Sequence, residues 1–363
     1  MVFKQNKKEK ISQFIEERLN RGVAPGAVLS IVDDKKILYQ DSFGFAQLEP
    51  FKNRMRKEII FDLASLTKVI ATTTAIMQLI ERGQINLWDY LKHYYPELPS
   101  GQKEEITIFH LLTHTSGFPA IIRLWNQGLN YEEKISRILN NPLEAKVGGK
   151  VIYSDLNFIL LGDLILRVTD QRLDEYVNQH IFQPLGMKMT TFNPLKNLPY
   201  TGSKDYAATE MCGWRGRIMI GEVHDENAFS FDGVSGHAGL FSTIGDLNKF
   251  LQMLLNNGIY QGIRALSSES VGMMSKDWTP NLGNHRGLGW GLIKNSHSSG
   301  GVFFSEVAFG HTGFTGTSIW VDPKLNLGVA LLTNRIHLSR KNTKITSFRP
   351  RLHDLIVSIF LNS

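Results

Sequence analysis

Ala64-Ser65-Leu66-Thr67-Lys68 stands at the head of a run from Val69 to Arg82 whose apolar residues recur at helical spacing. An i, i+3 separation puts Ser65 and Lys68 on one helix face, hydroxyl beside ammonium. A serine hydroxyl is a poor nucleophile until a neighbour takes its proton, and a lysine can do so only if burial or nearby charge lowers its pKa. At the amino end of a helix, the developing anion would also meet the positive end of the helix dipole. Ser-x-x-Lys is a short pattern, and it recurs at Ser100-Gly101-Gln102-Lys103, where Pro96, Pro99 and Gly101 read as a loop. The surroundings of the first copy therefore decide its meaning.

Upstream, Ile11, Phe14, Ile15 and Leu19 form one amphipathic helix that stops at Arg21-Gly22. Ala27 to Val32 and Ile37 to Gln40 then flank Asp33-Asp34-Lys35-Lys36, a hairpin pattern. Downstream, helical signals dominate at Tyr131 to Leu139, Phe158 to Val168, Leu173 to His180 and Ile244 to Leu255. A second hairpin pattern, Thr317 to Val321 and Leu327 to Leu332, closes over a turn with Asp322-Pro323, and a final helix is expected from Leu352 to Leu361. Helix and hairpin at the start with hairpin and helix at the finish predict an α/β (α+β) chain. Its antiparallel sheet is built from both termini and flanked by helices, with a mainly helical lobe inserted. The expected division is a single catalytic unit over 1–363, with an α/β lobe at about 1–67 plus 300–363 and a helical lobe at about 68–299.

Composition narrows the function classes. The 363 residues include 32 Gly and 12 Pro, ordinary for a globular chain, and 40 Lys and Arg against 34 Asp and Glu leave a net charge of +6. Nucleic acid is not an expected partner. One cysteine, Cys212, precludes an internal disulfide and a Cys-rich zinc site, and no apolar run approaches the roughly 18 residues of a membrane span. The expectation is a soluble cytoplasmic protein, or a periplasmic or extracellular one if a leader has been removed. Neither Gly-x-Ser-x-Gly nor Gly-x-x-x-x-Gly-Lys-Ser/Thr occurs, so no nucleotide, metal or other cofactor is expected and side chains must supply the chemistry.

Two further segments stand where partners for Ser65 are wanted: Tyr153-Ser154-Asp155 before an apolar helix, and His311-Thr312-Gly313-Phe314 before a strand. In this order and at these separations, Ser65-x-x-Lys68, Tyr153-Ser154-Asp155 and His311-Thr312-Gly313 resemble the three-motif signature of class C β-lactamases, penicillin-binding DD-peptidases and their esterase relatives. Leu111 to Gly117 and Gly236 to Thr243 also resemble family segments, and the likeness spans roughly residues 10 to 360. It implies a β-lactamase/transpeptidase-like fold and a serine hydrolase acting on a small ester, peptide or β-lactam. Ser65 would form the acyl-enzyme and Lys68 with Tyr153 would shuttle the proton. The backbone N–H groups of Ser65 and Phe314 would hold the oxyanion, with Asp155, His311, Thr312 and Gly313 on the substrate.

Two departures bear on the chemistry. Asp155 replaces a neutral amide common in the second motif, and a carboxylate beside Lys68 favours its charged form, shifting proton transfer toward Tyr153. His311 replaces a lysine common in the third, which weakens recognition of a substrate carboxylate. Both tilt the reading from an efficient β-lactamase toward a carboxylesterase or D-amino-acid peptidase. DD-carboxypeptidase or weak β-lactamase activity is the nearest alternative, and a binding protein that keeps the fold is the rival from another class. His110 and His114 are four apart but lack the glutamate of a zinc helix motif. Gly221 to Asn227 either lines a cleft or caps a loop. Trp125, Trp214, Trp290 and Trp320 are core residues or pocket walls, and Arg335 to Arg351, with six basic residues and no acid, reads as a solvated loop.

Overall fold

The computed structural model describes residues 5–361 apart from residue 296. Strands β1 (Gly26–Val32), β2 (Ile37–Gln47) and β3 (Asn53–Arg54) come from the amino-terminal part. β4 (Phe61–Asp62) and β5 (Leu240–Ser242) pair in a separate small sheet. The far end supplies β6 (Gly291–Leu292), β7 (Phe309–Thr312), β8 (Ser318–Asp322) and β9 (Leu327–Thr333). They join the first three in one antiparallel sheet of order β6-β7-β8-β9-β1-β2-β3. The seam where the two ends meet is β1 on β9, with Leu29 opposite Leu331 and Ile31 opposite Val329.

The period-2 alternation of these strands serves two buried faces. Ala27, Leu29 and Ile31 face α1 (Gln5–Asn20) and a long closing helix, packing with Ile11, Ile15, Leu352 and Ile356. Val28 and Val32 turn the other way, into the large core shared with helices α2 (Asp155–Thr169) and α3 (Ile244–Leu255). α2 is buried from Leu156 to Ile165 on every side, so it is a central strut that carries Asp155 at its first turn. Among the described residues, no helix is long and apolar enough to cross a membrane.

Three expectations need correction. The closing helix α4 runs from Ile345 to Leu361, beginning well before Leu352. Pro350, which removes one backbone donor, sits inside it. Arg335 to Arg351 is a solvated loop only in its middle, over residues 338–344, since Arg335 and Arg349 at its ends are only 7% and 6% exposed and the helix has begun by Ile345. The segment after Ser65 is not one plain helix either. Ala64–Leu66 is a tight 3-10 turn, Lys68–Thr73 winds as a wider π turn, and α-helix proper covers Thr74–Glu81. The Thr74 hydroxyl bonds the Val69 carbonyl within the wide turn, and the Thr72 hydroxyl ties the turn to the Gly236 carbonyl of a distant segment. The dipole argument for Ser65 loses force accordingly.

Candidate active site

Ser65 is half-buried at the floor of a cleft of about 590 Å³ between the edge of β7 and the loops around Ile121, His224 and Asn295. Its neighbour Ala64 has φ of +47°, a left-handed conformation that costs an L residue roughly 1–3 kcal/mol. Gly313 is required by close approach, since a Cβ there would lie 2.4 Å from the Leu63 carbonyl oxygen. The nucleophile turn and the His311-Thr312-Gly313 segment are thereby locked together.

Lys68 is fully buried and spends all three of its N–H donors. It donates to Ser65 Oγ at 2.9 Å, to Asp155 Oδ1 at 2.7 Å and to the His237 carbonyl at 3.0 Å. Burial by itself would lower its pKa, but the Asp155 carboxylate and Tyr153 outweigh that and raise it above the ordinary lysine value. Lys68 is thus a fixed ammonium in the resting site, as Asp155 led the sequence reading to expect. Its nitrogen lies 5.0 Å from the Tyr153 ring centroid.

Tyr153 is packed by His114 at 4.6 Å, His311 at 5.8 Å and the Arg286 guanidinium at 5.2 Å from its ring. His114 accepts the Ser154 backbone N–H at Nδ1, which fixes the start of α2. Burial pushes His114 and His311 well below the usual histidine value, with Arg286 and Lys68 adding to the effect, so both are neutral. His311 is therefore no cationic substitute for the family's lysine.

Other cations stand on the cleft wall. Arg286, Arg335 and Arg349 line it, each has an Nε without a partner, and none has a carboxylate partner among the described residues. Burial, with Arg335 nearby, pushes Arg349 down to about 9. Arg349 also donates to the Gly313 and Thr317 carbonyls at 3.3 and 2.7 Å. None of the three entered the sequence reading individually, although the acid-free run from Arg335 to Arg351 was the signal for two of them.

Acidic groups line the cleft as well. Gly221 to Asn227 proves to line the cleft, through His224, Asp225 and Glu226. Asp225 sits 2.9 Å from His237 Nε2 and accepts the Ala228 N–H, and although burial opposes it, His237 holds this carboxyl below its ordinary value. Asp155, Asp225 and His237 bring ligand-type atoms within 4.8 Å of one another, but Lys68 already occupies Asp155 and the other two serve each other. Glu210 binds His224 at 2.8 Å and Arg340 at 2.6 Å; burial opposes ionisation, yet these bonds keep it at about 2. His224 stacks on Phe314, which is 45% exposed at the cleft mouth. Of the tryptophans, Trp320 lines the cleft, Trp290 is core and Trp214 is exposed.

An antiparallel sheet assembled from both chain ends, with a serine, a buried lysine and a tyrosine gathered at one cleft, is the arrangement of a β-lactamase-type hydrolase. The chain belongs to the Beta-lactamase family, which it matches over residues 11–347. It is 35% identical to an N-acetylmuramyl-L-alanine amidase of Bacillus subtilis, covering 92% of this chain and 82% of that protein. It is 32% identical to a putative D-alanyl-D-alanine carboxypeptidase of Salmonella typhi, covering 94% and 86%. The octameric penicillin-binding protein homologue of Pyrococcus abyssi superposes with a TM-score of 0.74 at 26% identity, over 96% of this chain and 77% of that one.

Proposed function

We propose that Ser65 forms an acyl-enzyme on an amide or ester whose leaving side carries an anion, a short D-alanyl or muramyl peptide being the class that the relatives' names support. The observation that carries this is the Ser65 hydroxyl held at 2.9 Å by a buried ammonium inside the cleft. With Lys68 charged, the proton path runs through Tyr153. As Ser65 Oγ attacks the carbonyl carbon, its proton passes to the Tyr153 oxygen while the phenolic proton passes to the leaving nitrogen or oxygen, and the C–N or C–O bond breaks. The Lys68 ammonium stays in place and stabilises the charge developing on Ser65. Water then attacks the ester, and the same relay run backwards returns the proton to Ser65.

Two features favour a peptide. On its cleft side, β7 pairs with β6 only through Phe309 and Gly310, which leaves the backbone of His311 and Thr312 open to an added strand. Arg286, Arg335 and Arg349, none with a carboxylate partner among the described residues, put positive charge on the cleft wall for a substrate carboxylate. The test is intact-protein mass after a fluorophosphonate and, separately, a penicillin, with Ser65→Ala as control, followed by D-alanine release from a D-Ala-D-Ala peptide. Labelling by both, abolished in the variant, together with D-alanine release supports the peptidase. Labelling by fluorophosphonate alone with ester turnover marks an esterase, and labelling by neither refutes the acyl-enzyme.

A further inference from the structure

We propose that Asp62 is a positioning residue that fixes the spacing between the two oxyanion donors, the backbone N–H groups of Ser65 and Phe314; this rests on the acyl-enzyme reading of Ser65. Asp62 ends β4 beneath the cleft and is only 2% exposed. Its carboxylate has no cationic partner among the described residues. Instead Oδ1 accepts the Ala64 N–H at 2.8 Å and Oδ2 accepts the His224 N–H at 2.7 Å. A buried carboxylate held only by two amides is costly to keep, and burial indeed raises its pKa above the usual carboxylate value.

What it holds accounts for that cost. Ala64 is the left-handed residue directly before Ser65, so the Oδ1 bond pins a strained amide next to the nucleophile. On the other side, the backbone carbonyl of Asp62 accepts the hydroxyl of Thr315, the residue after Phe314, at 2.7 Å. The third tie runs through His224, which stacks on the Phe314 ring at 5.6 Å and 20°. One residue therefore grips the chain beside each donor and the side chain of the second.

The experiment measures kcat and KM for p-nitrophenyl butyrate and the Ki of phenylboronic acid, a tetrahedral mimic on the serine, in Asp62→Asn and in Thr315→Val, with thermal unfolding alongside. Losing one oxyanion donor elsewhere costs about 10²–10³ in kcat. Misplacing a donor should cost less, so Asp62→Asn is expected to lower kcat about 10- to 100-fold and raise the boronate Ki in step, with KM within about twofold. An unchanged kcat and Ki in a folded Asp62→Asn protein overturns the proposal, as does a loss confined to KM. If Asp62→Asn does not fold, Thr315→Val decides on the same two readouts. Hydrolysis surviving in Ser65→Ala overturns the acyl-enzyme reading itself, whatever Asp62 does.

Discussion

Replacing Asp155 by Asn tests the electrostatic logic of the site. The Asp155 carboxylate lies 2.7 Å from the Lys68 ammonium, which at an effective dielectric near 20 is about 6 kcal/mol of attraction. It offsets the desolvation of a lysine with no exposed surface. Removing one partner of such a pair leaves a buried charge uncompensated and typically costs about 3–5 kcal/mol. The signs follow from the raised pKa. In the native protein Lys68 contributes stability that is fully present below the ordinary lysine value of 10.5 and is lost only as pH rises through its higher folded value. In Asp155→Asn only Tyr153 is left to oppose burial, and the folded value is expected to drop below the unfolded one, so stability should rise with pH as 10.5 is approached. The rate should behave in parallel: if the ammonium supports Ser65, the basic limb of kcat/KM moves to lower pH in the variant. Urea unfolding from pH 6 to 10 and a pH–rate profile with p-nitrophenyl butyrate read both effects. A variant as stable as the native protein at pH 7, with its basic limb unmoved, refutes the assignment of Lys68 as a fixed ammonium.

The His224 clamp should show in acid. Glu210 is ionised down to about 2 in the folded chain against an ordinary 4.5, so its contribution is complete above 4.5 and disappears as pH falls through 2. Glu210→Gln should therefore cost about 2 kcal/mol at pH 7, with the difference from the native protein closing toward pH 2 in thermal unfolding scans; a constant offset contradicts this. Arg349→Gln should raise KM for a D-Ala-D-Ala peptide about 10-fold or more, and clearly more than for the uncharged ester, since a guanidinium on a buried carboxylate contributes several kcal/mol. Equal effects on both substrates would remove Arg349 from the anion wall.

Local pattern was enough for the frame. The turn residues Asp33-Asp34-Lys35-Lys36 and Asp322-Pro323 mark both hairpins, and the alternation Ala27, Leu29, Ile31 against Val28, Val32 already sorts residues to two faces. Ser65 and Lys68 are legible because they stand only three positions apart. Arg286 is not, and the segments holding Asp225 and His237 stand out without their roles, because Lys68 meets the His237 carbonyl across 169 positions and only the fold closes that gap. Pro350 hid the early start of α4 and with it the burial of Arg349, since a proline ordinarily marks a helix beginning rather than its interior. Nothing in Phe61-Asp62-Leu63 tells a buried carboxylate from a solvated one until its two amide partners are placed.

The two departures from the family's motifs are best understood together. Asp155 holds Lys68 as a cation, which in the proposed mechanism removes it as a base and leaves the proton to Tyr153. His311, neutral in its buried setting, removes the cation that a lysine there would place against a substrate carboxylate. A charged lysine at that position would stand among Arg286, Arg349 and Lys68, three cations that already depress the His311 pKa. Neutral histidine is the side chain that such a field tolerates, and the positive charge on the cleft wall is carried by Arg286, Arg335 and Arg349 instead. On this argument, restoring the family's lysine by His311→Lys would not restore family behaviour, because the new ammonium would be desolvated and repelled unless an anion is bound.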